Sequence, residues 1–98
     1  DSHERVAAYS MAAEFLGFRL LYLEAGSGSQ HPVNPDLIKT ARKSCNLPII
    51  VGGGIRDAKS ARAAAESGAD WIITGNITEE YDDASELQAV LTDLIDGI

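Results

Sequence analysis

Three short stretches of this chain carry residue types suited to holding a phosphorylated, hydroxyl-bearing ligand: Tyr22-Leu23-Glu24-Ala25-Gly26-Ser27-Gly28, Gly52-Gly53-Gly54-Ile55-Arg56 and Thr74-Gly75-Asn76. Glycine at a corner lets the backbone approach an anion with no Cβ in the way, and exposed N–H groups there can bond phosphate oxygens. A single glycine run is more often only a turn. A glycine-rich loop followed about twenty residues later by Gly-Asn is more specific, because (β/α)₈ barrels build phosphate sites from their last two βα loops. Gly53, Gly54, Gly75 and Asn76 are therefore the expected phosphate-binding residues.

Glu24 closes an otherwise apolar run, where a carboxylate can simply mark the point at which a strand reaches water. It also stands two residues after Tyr22, hence on the same strand face, just ahead of Gly26-Ser27-Gly28. Both side chains are expected to point into one pocket. There the carboxylate can accept hydrogen bonds from substrate hydroxyls and take a proton from one of them, while Tyr22 donates to the same polyol. Other polar residues read more simply. Arg56 can aid an anion or pair with Asp57 or solvent, His31 is a loop residue, and Glu79-Glu80 with Asp82-Asp83 form a solvated acidic loop. Trp71 is assigned to packing, and no metal site is visible.

The elements that must position these residues can be read from periodicity. Val6, Ser10, Ala13 and Leu16 recur at helical spacing ahead of Gly17, a natural left-handed stop. Arg19–Glu24 is a short apolar run of the kind buried on both faces of a sheet. Asn34-Pro35 opens a second helix with the stripe Leu37, Ile38, Ala41 and Cys45. The β-branched run Pro48–Val51 follows, then a third helix capped by Asp57, carrying Ala61, Ala64 and Ala65, and ended by Gly68. Asp70–Thr74 is a third strand, and Asp83 with Glu86 forms a capping box before Leu87, Val90, Leu91, Leu94 and Ile95. Short strands alternating with helices imply a parallel sheet of three strands and four helices: α/β architecture, the C-terminal portion of a (β/α)₈ barrel. Residues 1–98 read as a single unit.

Composition narrows the function further. Ninety-eight residues at 45% hydrophobic suffice for one core but not for the roughly 250 of a whole barrel, so part of the barrel is expected elsewhere. A net charge of −7 without a basic cluster argues against nucleic acid. Cys45 is the only cysteine, which excludes an internal disulfide and suits a reducing compartment. With no apolar run near the roughly 18 residues of a membrane span, and no signal-like core after Asp1-Ser2-His3-Glu4-Arg5, a soluble cytoplasmic protein is expected.

Tyr22–Gly28, then Gly52-Gly53-Gly54-Ile55-Arg56, then Gly68-Ala69-Asp70 leading to Thr74-Gly75-Asn76, closely resemble the C-terminal part of geranylgeranylglyceryl phosphate synthases of the archaeal type, whose bacterial relatives make heptaprenylglyceryl phosphate. The Tyr-Leu-Glu-Ala-Gly-Ser-Gly stretch is the specific part, while the later glycine motifs are shared by many phosphate-binding barrels. The resemblance implies a prenyltransferase of phospholipid biosynthesis that joins sn-glycerol 1-phosphate to geranylgeranyl diphosphate, with Mg²⁺ assisting departure of diphosphate. It implies that Tyr22, Leu23, Glu24, Ala25, Gly26, Ser27 and Gly28 contact the glycerol phosphate. Gly53-Gly54 and Gly75-Asn76 would hold its phosphate, and Glu24 would orient the glycerol and deprotonate the attacking hydroxyl.

The family's Mg²⁺ ligands and much of its prenyl channel belong to the first half of the barrel, and nothing here corresponds to them. Partnership with an N-terminal barrel portion, or self-association, is expected. Two other readings stand beside the prenyltransferase part: a non-catalytic phosphate-binding half-barrel, and another sugar-phosphate barrel enzyme. Tyr22-Leu23-Glu24 with Gly26-Ser27-Gly28 speaks against the last.

Overall fold

The computed structural model describes residues 2–26 and 29–98. The order is α1 (His3–Phe15), β1 (Leu21–Glu24), α2 (Pro35–Ser44), β2 (Ile49–Gly52), α3 (Ala58–Ser67), β3 (Trp71–Ile73), a 3₁₀ turn (Asn76–Glu79) and α4 (Ala84–Asp96). Each strand is followed by a helix, and the sheet is parallel in the order β1-β2-β3. Three parallel strands with four helices are the C-terminal portion of a (β/α)₈ barrel. The strands are shorter than their apolar runs: β1 starts at Leu21 rather than Arg19, because its ladder begins only where Leu21 N–H reaches the Pro48 carbonyl.

The register places Tyr22 beside Ile50 and Ile50 beside Trp71, and in the next row Glu24 beside Gly52 and Gly52 beside Ile73. Partners in a ladder share a face, so these two rows stand on one side of the sheet. Leu21, Ile49, Leu23, Val51 and Ile72 stand on the other, where the helices cover them. Ile38, Ala41, Ile49, Val51, Ile55, Ala61, Ala64, Ile77 and Leu94 form the core. Alanines on α3 let that helix lie close to the sheet. The opposite face is open: Trp71 is 66% exposed, Leu20 50%, Tyr22 46% and Ile73 46%. Trp71 is thus not a packing residue within this chain. Its position in the ladder turns it to the uncovered face, a consequence of register that its apolar character does not reveal.

At the amino ends of the strands one charge cluster ties three elements together. Asp70 Oδ2 accepts from Ile49 N–H at 2.9 Å and from the Arg42 guanidinium at 3.1 Å, and Arg42 donates onward to the carbonyls of Cys45 and Leu47. A Cβ at Gly68 would press on the Arg42 stem at 2.9 Å, so the glycine that ends α3 also admits this arginine.

The helix caps follow their residue types. Asn34 accepts from Asp36 N–H, and Asp83 accepts from Ser85 N–H at the second helical position. Helix α1 departs from its simple stripe: Ser10 is buried and bonds the Val6 carbonyl, whereas Leu16 is 71% exposed. Tyr9, Met11 and Phe15 are exposed as well, so α1 is apolar on both sides.

Asp57 accepts from the Ser60 hydroxyl at 2.6 Å and from Ser60 N–H at 2.8 Å. These bonds hold its carboxyl below the ordinary aspartate value, the hydroxyl contributing most, against a smaller upward push from burial; Lys59 adds to the lowering. A lowered folded-state pKa stabilises at pH above the unfolded-state value and ceases to do so as pH falls through the folded one. Asp57→Ala is expected to cost about 1 kcal/mol at neutral pH. In acid the gap to wild type narrows, measurable as protection of the Ser60 amide against hydrogen exchange across that range.

Candidate active site at the carboxyl ends of the strands

The open face and the carboxyl ends of the strands meet at Gly52. Glu24 and Tyr22 lean over β2 there because Gly52 carries no side chain: a Cβ on it would lie 2.5 Å from Tyr22 Oη and 3.2 Å from Glu24 Oε2. The carboxylate is held from its other oxygen, Oε1, which accepts from Gly26 N–H at 2.8 Å. This leaves Oε2 beside the phenol. Hydrogen bonding to Glu24 is the main cause that raises the Tyr22 phenol above its ordinary value, followed by desolvation and then by the carboxylate's charge. In this pair the phenol is the donor and the carboxylate the acceptor.

The loop after β2 packs beneath that arrangement. Gly53 has φ +87°, and a Cβ on it would lie 2.5 Å from Glu24 Oε1 and 2.8 and 2.9 Å from the Gly26 backbone. Gly54, with φ +73°, lies equally close to the His31 carbonyl. The loops after β1 and β2 therefore touch backbone to backbone, which only glycine permits. The loop after β3 is different: among the described residues nothing lies within 4 Å of the Gly75 Cβ position, and its φ is −139°. It faces open space.

Beside this junction is a cleft of about 610 Å³ whose walls include Tyr22, Glu24, Ser29, His31, Val33 and Asn34. Arg56 pairs with Glu80 at 3.1 Å rather than with Asp57, whose carboxylate is occupied by Ser60. Glu80 is thereby drawn out of the wholly solvated acidic loop expected for it. His31 is a loop residue, as its neighbours suggest, yet it lines the cleft.

Of the expected site residues, Tyr22, Glu24, Gly26, Gly53 and Gly54 come together at the junction. Leu23 turns toward the helices and joins the hydrophobic packing, although it also borders the cleft. Ala25 donates its N–H to the Gly52 carbonyl, continuing the ladder. Ser27 and Gly28 lie outside the described residues. Gly75 and Asn76 begin the 3₁₀ turn after β3, where Thr78 returns hydrogen bonds to the Gly75 carbonyl. Gly52 is the residue that motif reading undervalued. Its signal was available in the alternation, since it falls two positions after Ile50 on the Tyr22 face.

Among the described residues, no group of three or more His, Cys, Asp or Glu side chains converges as a metal site.

Residues 1–94 match the model of the PcrB family. The chain belongs to the PcrB family. It is 47% identical over 92 residues to geranylgeranylglyceryl phosphate synthase of Thermococcus gammatolerans, a match covering 94% of this chain and 36% of that protein. The synthase of Thermoplasma volcanium is 45% identical over 100 residues, covering all of this chain and 38% of its own length. A crystal structure of the Thermoplasma acidophilum synthase in complex with sn-glycerol-1-phosphate superposes with a TM-score of 0.91 at 38% identity, covering 100% of this chain and 38% of that one. The chain thus spans little more than a third of the relatives it matches. Its fold is the corresponding part of their barrel, and the completed barrel in which the site is to be tested is the chimera joining residues 1–98 to the remaining part of the Thermoplasma volcanium synthase.

Two glycine substitutions separate packing from site geometry in such a barrel. Gly52→Ala meets no backbone, only the Tyr22 ring and hydroxyl and the Glu24 carboxylate, which can swing toward the open face, and is expected to leave the unfolding midpoint nearly unchanged while displacing the Tyr22–Glu24 pair. The Tyr22 phenol then titrates closer to its ordinary value, read as an ultraviolet difference spectrum against Tyr22→Phe. Gly53→Ala meets backbone at a positive φ and is expected to cost about 2 kcal/mol in chemical denaturation.

Proposed function

We propose that this chain is the glycerol-phosphate-binding part of an archaeal prenyltransferase that joins sn-glycerol 1-phosphate to geranylgeranyl diphosphate in ether-lipid synthesis in the cytoplasm. The observation that carries the reading is the convergence of Glu24 and Tyr22 over Gly52, next to two glycine loops. The same part of the barrel, in the Thermoplasma acidophilum neighbour, belongs to a protein in complex with sn-glycerol-1-phosphate. Backbone N–H groups of Gly53, Gly54, Gly75 and Asn76 hold the phosphate, and the glycerol lies toward Glu24.

In this reading Gly26 N–H fixes the carboxylate through Oε1, so Oε2 accepts from a glycerol hydroxyl. As the hydroxyl oxygen forms its bond to the prenyl carbon, the carbon–diphosphate bond breaks, diphosphate leaves with the electron pair, and Glu24 takes the hydroxyl proton. The single Tyr22 O–H then turns from Glu24 to a second oxygen of the polyol and orients it. Bound Mg²⁺ would assist departure of the diphosphate, and its ligands are expected in the barrel portion outside this chain. The open face formed by Leu20, Tyr22, Trp71 and Ile73 fits burial against an N-terminal barrel portion. At about 25 cal/mol per Å² of apolar surface, covering it is worth several kcal/mol, comparable with the stability of a small domain.

Three outcomes test this. In the completed barrel, a bound phosphate or sulfate seen by crystallography is expected against Gly53, Gly54, Gly75 and Asn76; an ordered anion at the amino ends of the strands instead would contradict it. Glu24→Gln is expected to lower turnover by about a hundredfold or more with little change in the dissociation constant for inorganic phosphate, and equal turnover removes Glu24 from the chemistry. The chain alone is expected to self-associate in sedimentation and to form no ether product. A soluble, active monomer would refute the incompleteness, while phosphate binding without turnover in the completed barrel would instead favour a non-catalytic module.

A further inference from the structure

The loops after β2 and β3 are built alike. Each leaves its strand through glycine, then drops one isoleucine into the core: Ile55 is 4% exposed and Ile77 1%. Directly after Ile55 comes Arg56, and three residues after Ile77 comes Glu80, and these two side chains meet at 3.1 Å between Nε and Oε1. The buried isoleucines pin the bases of the loops. Above them Gly53 and Gly54 are held against Gly26 and His31, whereas at Gly75 nothing among the described residues lies within 4 Å of the Cβ position, so the loop after β3 is the one that needs a tie. Within the described residues, this ion pair is the side-chain tie between the two loops.

The pair is not there chiefly for stability. Its side chains are 37% and 43% exposed, and an ion pair so open to water adds little to stability. Nor does its charge favour an anion. Residues 53–57 and 74–83 contain one cation, Arg56, against the five carboxylates of Asp57, Glu79, Glu80, Asp82 and Asp83. A loop pair selected for electrostatic attraction would leave that cation free. What the pair does fix is distance, because it joins the loop carrying Gly53-Gly54 to the loop carrying Gly75-Asn76 just beyond their anchors.

We infer that Arg56 and Glu80 are positioning residues that set the spacing of the two glycine loops for one phosphate group, acting through backbone and not by touching the ligand. The inference rests on the proposed glycerol phosphate site and adds to it a pair of side chains whose two members must act as one. The two roles predict opposite signs for one variant. If Arg56 served by charge, removing its acidic partner would free it and tighten anion binding. If the pair sets spacing, removing either member loosens the site.

The test uses the completed barrel with Arg56→Gln, Glu80→Gln and the double variant, read by KM for sn-glycerol 1-phosphate, KM for the prenyl diphosphate, and the unfolding midpoint. Each single variant is expected to raise KM for the glycerol phosphate by about fivefold to tenfold, within the range that small misplacement of a binding group produces. The double variant is expected to be no worse than either single one, with KM for the prenyl diphosphate and the unfolding midpoint near wild type. An unchanged or lower KM in Glu80→Gln overturns the inference, and so do fully additive effects. If the wild-type barrel transfers no prenyl group, the proposed function fails by itself. The same variants compared by calorimetry with inorganic phosphate then decide the spacing role, with weaker binding by Glu80→Gln supporting it and unchanged or tighter binding refuting it.

Discussion

The registration of Glu24, Gly52 and Ile73 in one row of the parallel ladder is the constraint on which the rest of this structure depends. Side chains alternate along a strand, so one register decides every side chain's face at once. With Leu23, Val51 and Ile72 turned to the helices, Tyr22 and Glu24 must stand on the opposite face, over the one strand position that has no side chain. A shift by one residue would bury the carboxylate among the helices and turn Val51 outward. The hydrophobic pattern therefore specifies the site geometry even though neither Tyr22 nor Glu24 contributes to the core.

The two ends of the sheet divide the labour. At the amino ends, Asp70 satisfies the Ile49 N–H while Arg42 binds two carbonyls in the turn between α2 and β2, so polar groups close the bottom of the sheet among themselves. At the carboxyl ends the backbone is brought close and left partly unoccupied. Gly53 and Gly54 pack against Gly26 and His31, whereas Gly75 stays open. Ligand sites gather at this end in parallel barrels because loops converge there. Here the convergence can be read from specific approaches that any β-carbon would block.

The uncovered face gives the same register a second consequence. Ile50, though it points away from the helices, is only 8% exposed because Tyr22 and Trp71 flank it, while those two at the margins remain open. Helix α1, apolar on both sides, adds to the surface that a longer barrel can cover. These features agree with a chain that spans 36–38% of its relatives. They also explain why the active-site face and the uncovered face are continuous: in a barrel both belong to the interior wall.

Much of the architecture was legible along the chain because its causes are local. Asn34, Asp57 and Asp83 sit beside the N–H groups they cap, Gly17 and Gly68 occupy the left-handed stops they suggested, and Tyr22 and Glu24 share a face through a two-residue period that needs no partner strand. The family resemblance was legible for a related reason, since its diagnostic residues form contiguous motifs. Tertiary structure decided what depends on residues far apart. It turned Trp71 outward, made Gly52 the floor beneath Tyr22 and Glu24, and joined Arg56 to Glu80 across 24 positions of sequence rather than to its neighbour Asp57, which Ser60 had already engaged. A side chain's type and period set which face it prefers, but which partner it meets there is settled only when separate strands take their register and their loops close over the same space.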